Sequence, residues 1–226
     1  MSDPLDADPG SFHAALRPAE IEVLRTMSTS QRFRRGATLF LEGEAADRVL
    51  VIEQGRTKIV SMTPDGREVV LAIRGPGDLL GEFAAVDGLP RSAAAIAIED
   101  MSALVVPAER FAEFLTKHPT VTYGLLQMVV SRLRDSVRKQ VEFGAHDATG
   151  RVAQRLVELA ERYGREAGNG IQIDLPLTQE ELAGFTGSSR EAVSRALRVL
   201  RGQGLVETNR MRIVVVDIEG LRLYIS

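Results

Sequence analysis

The residue pattern changes sharply at Pro107, and this limits what the chain can fold into. Between Gln31 and Pro107 short β-rich runs follow one another: Thr38–Leu41, Val49–Ile52, Lys58–Val60, Val69–Ile73, Ala94–Ile98 and Ser102–Val106. Glycines separate them at Gly36, Gly43, Gly55, Gly66, Gly75, Gly77 and Gly88. Many short strands with regular glycine turns predict an antiparallel barrel or jelly roll. Pro64-Asp65-Gly66 supplies a hairpin turn. Before this region, Pro18–Met27 reads as a short helix with Pro18 in its first turn.

Beyond Pro107 the period is helical. Glu109–His118 predicts a short helix stopped by Pro119, followed by a long one from about Thr120 to Phe143. On the long helix Leu126, Val130, Leu133, Val137, Gln140 and Gly144 alternate steps of four and three, the seam of a coiled coil. Such a narrow apolar stripe predicts pairing with a second copy, a homodimer. Asp147-Ala-Thr-Gly150 interrupts the pattern and reads as a hinge. Arg151–Tyr163 is helical again, closed by Gly164 and Gly168-Asn169-Gly170, with a strand over Ile171–Leu175. The runs Leu205–Glu207 and Arg212–Val216 flank a turn and predict a hairpin. The fold class is therefore α+β: a β-roll (jelly roll) over 1–118, a dimerisation helix and hinge over 119–146, and a winged helix-turn-helix over 147–226.

Composition removes several function classes. The chain of 226 residues has no cysteine. This excludes disulfides, a thiolate iron–sulfur cluster and a cysteine zinc site. The three histidines, His13, His118 and His146, are scattered, so no metal and no haem is expected. No nucleophile–base pair is visible, so no enzyme is expected. The acidic start carries no apolar core and no run is long enough to span a membrane, which predicts a cytoplasmic protein without a membrane partner. The formal net charge of −3 is unevenly spread. Residues 1–118 carry 13 Lys+Arg against 18 Asp+Glu, whereas 147–226 carry 11 of each. Within that balanced part Arg190, Arg195, Arg198, Arg201, Arg210 and Arg212 face only Glu191 and Glu207, which gives a local basic face.

Two constellations carry chemistry. In the first, Gly81 allows close approach of the chain, and the turn after it, with Phe83, can aim backbone N–H groups at a phosphate. Arg91 offers a planar fork for two phosphate oxygens, and Ser92 a hydroxyl. Glu82 would repel a phosphate but suits a ribose 2′-OH, with Arg91 offsetting its charge. In the second, Thr178-x-x-Glu181 and Ser188-x-x-Glu191 are capping-box patterns that each open a helix. Gly187 fits the turn between them. Leu182, Ala183, Ala192, Val193, Ala196 and Leu197 pack the two helices together. The first residues of the second helix meet base edges in such a motif. Arg190 and Arg195 each suit a guanine and Glu191 a cytosine. Glu191 has a competing structural duty as the cap partner of Ser188.

With both constellations the chain resembles the CRP/FNR family of bacterial transcription regulators, and within it the cyclic-AMP receptors. The likeness runs nearly the whole length: β-roll, long helix, Asp147-Ala-Thr-Gly-Arg-Val-Ala-Gln segment and winged helix. It implies that Gly81–Ala93 is a phosphate-binding cassette in which Gly81, Glu82, Arg91 and Ser92 hold a cyclic nucleotide. It places Arg132 near Glu82, and makes Ser136 a hydroxyl that reaches an adenine amine. It assigns base contacts to Arg190, Glu191 and Arg195, and backbone contacts to Thr178, Gln179 and Ser189, with Arg210 and Arg212 on the wing as further backbone candidates. The implied effector is cAMP. The implied partners are double-stranded DNA with an inverted-repeat operator and half-sites like TGTGA, a second copy of the chain, and RNA polymerase. Val137 departs from the pattern where a hydroxyl would reach across the dimer. It leaves open a regulator that binds DNA without cAMP or answers to a different effector.

Overall fold

A computed structural model describes residues 11–209 and 211–225, apart from the side chains of Glu142 and Phe143. The acidic start of the chain and Arg210 lie outside the described residues. The chain divides into two compact units, Met1–Ser61 with Val70–Asp135 and Met62–Val69 with Ser136–Ser226.

The first unit is built on two four-stranded sheets. One orders β1 (Thr29–Phe33), β8 (Met101–Pro107), β3 (Arg48–Gln54) and β6 (Leu79–Leu80). The other orders β2 (Thr38–Phe40), β7 (Ala94–Ala97), β4 (Thr57–Met62) and β5 (Glu68–Arg74). Every pairing described in the two sheets is antiparallel, as a jelly roll requires. Thr63–Arg67 closes the β4–β5 hairpin, with the Thr63 N–H donating to the Arg67 carbonyl at 2.9 Å.

β3 explains the unbroken apolar run Val49-Leu-Val-Ile. All four residues are fully buried, because both faces of the strand are covered. Leu50 and Ile52 face the sheet-to-sheet core with Leu39, Phe40, Leu80, Ala95 and Met101. Val49 and Val51 face a second core with Leu79, Leu104 and Val106, roofed by helical residues. Those helices are α1 (Pro18–Thr26), α3 (Ala108–Lys117) and α4 (Pro119–Ala145), which contribute Leu24, Phe111, Phe114, Val121, Leu125 and Met128.

The second unit packs α5 (Ala148–Tyr163), α6 (Gln179–Thr186), α7 (Arg190–Gly202) and α8 (Ile218–Tyr224) with a sheet ordered β11 (Val206–Asn209), β12 (Arg212–Val215), β10 (Gly170–Ile173), β9 (Gly164–Ala167). The expected hinge is shorter than 147–150. Only His146 and Asp147 interrupt the helices, and Asp147 caps α5 by accepting from the Gly150 N–H at 2.7 Å. Gly164 ends α5 as its C-cap and also opens β9, which pairs with β10. No described helix is long and apolar enough to cross a membrane.

A buried carboxylate fastens α1 to α4. Glu20 is 2% exposed and accepts from the Arg17 backbone N–H at 2.8 Å, Arg17 Nε at 3.0 Å and Thr120 Oγ1 at 2.9 Å. The Arg17 guanidinium outweighs the opposing effect of burial, and the carboxyl is held down to about 2. Ionised Glu20 therefore contributes its full stabilisation above its ordinary value of 4.5 and loses it as pH falls toward 2. Glu20→Gln is expected to lower the melting temperature at neutral pH and to flatten its fall between pH 4.5 and 2. Thermal melts of both proteins over that range check this; parallel curves would contradict it.

Candidate functional site

The cassette begins where β6 ends. Gly81 takes φ +77° and opens α2 (Glu82–Asp87). A Cβ at Gly81 would lie 2.1 Å from Arg91 Nη1, so only glycine allows both the left-handed turn and the arginine beside it. Arg91 is 3% exposed. Its Nη1 donates to the Gly81 carbonyl at 2.9 Å, its Nη2 donates to the Arg48 carbonyl, and its guanidinium stacks 4.5 Å from the Phe40 ring centroid. Asp47 is 3.6 Å away. Burial pushes the guanidinium below its ordinary value, with Asp47 opposing. Arginine stays charged in proteins nonetheless. Arg91 Nε is buried and has no hydrogen-bond partner among the described residues. An unspent donor on a buried cation fits an anionic ligand.

Glu82 is also buried, and its carboxylate accepts from Arg132 Nη1. The same guanidinium reaches Asp78 Oδ1 at 3.4 Å and the Leu79 carbonyl at 3.2 Å. Arg132 stands on α4, so the helix is clamped directly to the start of the cassette. Phe83 and Ser92 are exposed beside the buried pair, and Ser136 is exposed one turn beyond Arg132. The structure thus brings together Gly81, Glu82, Arg91 and Arg132.

Sequence reasoning passes over Asp78. Its Oδ2 also accepts from the Gly75 N–H at 3.0 Å, which fixes the turn before β6. The available signal is an acid set against apolar Leu79 and Leu80, four residues before Glu82.

In the second unit, α6 starts as the residues predict. Thr178 Oγ1 accepts from the Glu181 N–H at 3.1 Å, and Glu181 accepts from the Thr178 N–H at 2.9 Å. Gly187, at φ +55°, turns the chain toward α7. The second capping box is not formed. Ser189, not Ser188, caps α7, accepting from the Ala192 N–H at 3.2 Å. Ser188 is taken up by Arg151 Nη2 at 3.1 Å and by the Thr186 carbonyl at 3.2 Å. Glu191 therefore does not partner Ser188; its carboxylate meets the cap residue Ser189 instead. Its own backbone N–H, then the Ser189 hydroxyl, hold its carboxyl below the usual range, so it is an ionised acceptor at neutral pH.

The buried face of α7 is Val193, Ala196, Leu197 and Leu200, against Leu182 and Ala183 of α6. The opposite face exposes Glu191, Arg195 and Arg198, and Arg190 is exposed in the first turn, toward the side of Leu197. Thr178 and Gln179 are exposed at the start of α6, and Arg212 is exposed at the start of β12.

Comparison with known proteins matches both halves. Residues 30–118 match the cyclic nucleotide-binding domain, and residues 150–224 match the Crp-like helix-turn-helix domain. The chain belongs to the CRP/FNR family of transcription regulators. It is 33% identical over 219 residues, 97% of each chain, to the CRP-like cAMP-activated global transcriptional regulator of Mycobacterium tuberculosis. It is 29% identical to the cyclic AMP receptor protein of Thermus thermophilus, covering 86% of this chain and 87% of that one. Among solved structures, a CRP-family transcriptional regulator from Thermus thermophilus matches with a TM-score of 0.74 and 26% identity, over 86% of this chain and 96% of that one. The c-di-GMP responsive regulator CLP of Xanthomonas campestris shares the fold, with a TM-score of 0.81 and 24% identity over 88% of this chain and 99% of that one. As a CRP/FNR member the chain is a DNA-binding transcription regulator with a cyclic nucleotide-binding domain; its family is not one of enzymes.

Proposed function

We propose that this regulator works as a homodimer whose DNA binding is controlled by cAMP. The observation that carries the reading is the buried Arg91, seated against Gly81 with Nε unspent, nine residues from a buried Glu82. Arg91 and Ser92 hold the cyclic phosphate, Gly81 and Phe83 form the turn that lies against it, and Glu82 accepts from the ribose 2′-OH. Arg132 keeps Glu82 in place. Ser136, on the same helix, meets the adenine amine. The names of the Mycobacterium and Thermus relatives support cAMP as the nucleotide. Val137 is the one position that favours another effector, or none.

The dimer reading rests on α4. Its inner face, Val121, Leu125 and Met128, is buried in the β-roll core. Its outer seam leaves Leu126 56%, Leu133 63% and Val137 53% exposed. A helix already packed on one side that exposes a second, continuous apolar stripe suits a coiled-coil partner. Two-fold pairing sets two reading helices toward an inverted repeat, with half-sites ~10–10.5 bp apart. Arg190, Glu191 and Arg195 read bases, while Thr178, Gln179, Ser189 and Arg212 hold the backbone. RNA polymerase is the further partner, and the cytoplasm the compartment.

Calorimetric titration with cAMP tests the pocket. Arg91→Ala is expected to weaken binding about 100-fold, since two charge-assisted hydrogen bonds are lost. Thermal melting of the same variant separates lost binding from lost folding. Equal affinity in the folded variant would exclude the pocket, and no cAMP heat in the unsubstituted protein would favour the regulator with another effector. Sedimentation tests the dimer. The unsubstituted chain is expected at twice its mass at micromolar concentration, and Leu133→Asp at the mass of one chain. A single-chain mass for both would remove the dimer.

A further inference from the structure

The cleft between the start of α6, the last turns of α7 and the wing hairpin β11–β12 is not used by the base-reading assignment. It encloses about 460 Å³, and Leu177, Leu182, Leu197 and Ile213, all buried, are among its lining. Among the described residues that line it, Arg201 is the one that is charged. We propose that Arg201, braced by Thr208 of the wing, grips a DNA backbone phosphate flanking the bases read by the N-terminal turns of α7. The proposal rests on α7 being the DNA-reading helix.

Arg201 is fixed rather than free-swinging. Its Nη1 donates to Thr208 Oγ1 at 2.5 Å, tying the end of α7 to β11. Its guanidinium has no acidic partner among the described residues. Glu207, the next residue along the strand, points to the opposite side and accepts from Asn169 Nδ2 at 2.7 Å. One corner of the fork is therefore anchored while the remaining donors stay available, the arrangement that suits a phosphate oxygen. The apolar part of the lining strengthens the field of this cation at the cleft mouth.

The position along α7 decides which part of DNA Arg201 can meet. It lies eleven residues beyond Arg190, about three turns, so it projects on the same side. Eleven residues also carry it ~16 Å along the axis. That distance exceeds the ~12 Å width of the major groove that admits the reading turns. Arg201 therefore sits at the groove wall, where the sugar–phosphate strand runs, and not over the bases. The same cleft receives Thr178 and Gln179 of α6, which face the same strand in this reading.

The test uses the full chain with cAMP and two duplexes, one carrying inverted TGTGA half-sites and one of random sequence. Affinities are measured over a range of potassium chloride concentrations. Arg201→Ala is expected to weaken both duplexes by the same factor, about fivefold near 0.15 M salt, and to lower the salt slope by about 0.9. Thr208→Val removes the brace but keeps the charge, so its slope is expected to stay that of the unsubstituted protein. Arg190→Ala is expected to weaken the half-site duplex alone. An unchanged slope in Arg201→Ala overturns the proposal, and equal losses in Arg201→Ala and Thr208→Val at unchanged slope identify Arg201 as a brace only. If the unsubstituted protein binds neither duplex, the assignment of α7 falls and the proposal falls with it.

Discussion

The guanidinium of Arg132 is the group on which the effector unit depends. It lies between two buried carboxylates, Glu82 and Asp78, and also donates to the Leu79 carbonyl. Either carboxylate alone would be costly to bury, and removing one partner of such a set leaves an uncompensated charge, at a cost of about 3–5 kcal/mol. The cassette and α4 are therefore not independent. The segment that carries Gly81 and Glu82 keeps its shape because the long helix supplies the counter-charge. Anything that redistributes hydrogen bonds at Glu82 is felt by Arg132, and through it by the helix.

α4 is suited to pass such a change on because it is apolar on two sides. Val121, Leu125 and Met128 anchor it to the β-roll, while Leu126, Val130, Leu133 and Val137 form a separate exposed stripe. The helix runs on to Ala145, and after His146 and Asp147 the chain re-enters helix at once as α5. A two-residue break between two helices leaves few soft dihedrals to absorb motion. In the proposed dimer, this short break is the covalent route from the nucleotide cassette to α7.

The residues alone locate elements wherever the apolar period is strong. The outer seam of α4, the apolar run of β3 and the buried side of α7 are readable from spacing, whereas the inner face of α4, Val121, Leu125 and Met128, emerges only with the β-roll packed against it. Elements without a period escape. β1, Thr-Ser-Gln-Arg-Phe, is polar and mostly exposed because, among the described residues, it is an edge strand paired with β8. β6 has two residues, too few to show alternation. At the start of α7 two adjacent serines can both cap. Arg151 on α5 decides between them by taking Ser188, and no local pattern encodes that contact. At the pocket, Gly81, Glu82 and Arg91 are readable as chemistry. That Arg91 rests on the Gly81 and Arg48 carbonyls, and that Asp78 shares Arg132 with Glu82, emerges only once distant strands are paired.

The central claim is that one nucleotide and one DNA site are energetically coupled through this chain. Coupling of that kind is reciprocal: if cAMP tightens operator binding by some factor, operator DNA tightens cAMP by the same factor. The most direct test is a calorimetric measurement of cAMP affinity with and without a saturating duplex carrying inverted TGTGA half-sites. The account predicts tighter cAMP binding on the duplex, typically ~5–150-fold, matching the gain in DNA affinity that cAMP produces. Identical cAMP affinity in the two conditions would contradict it.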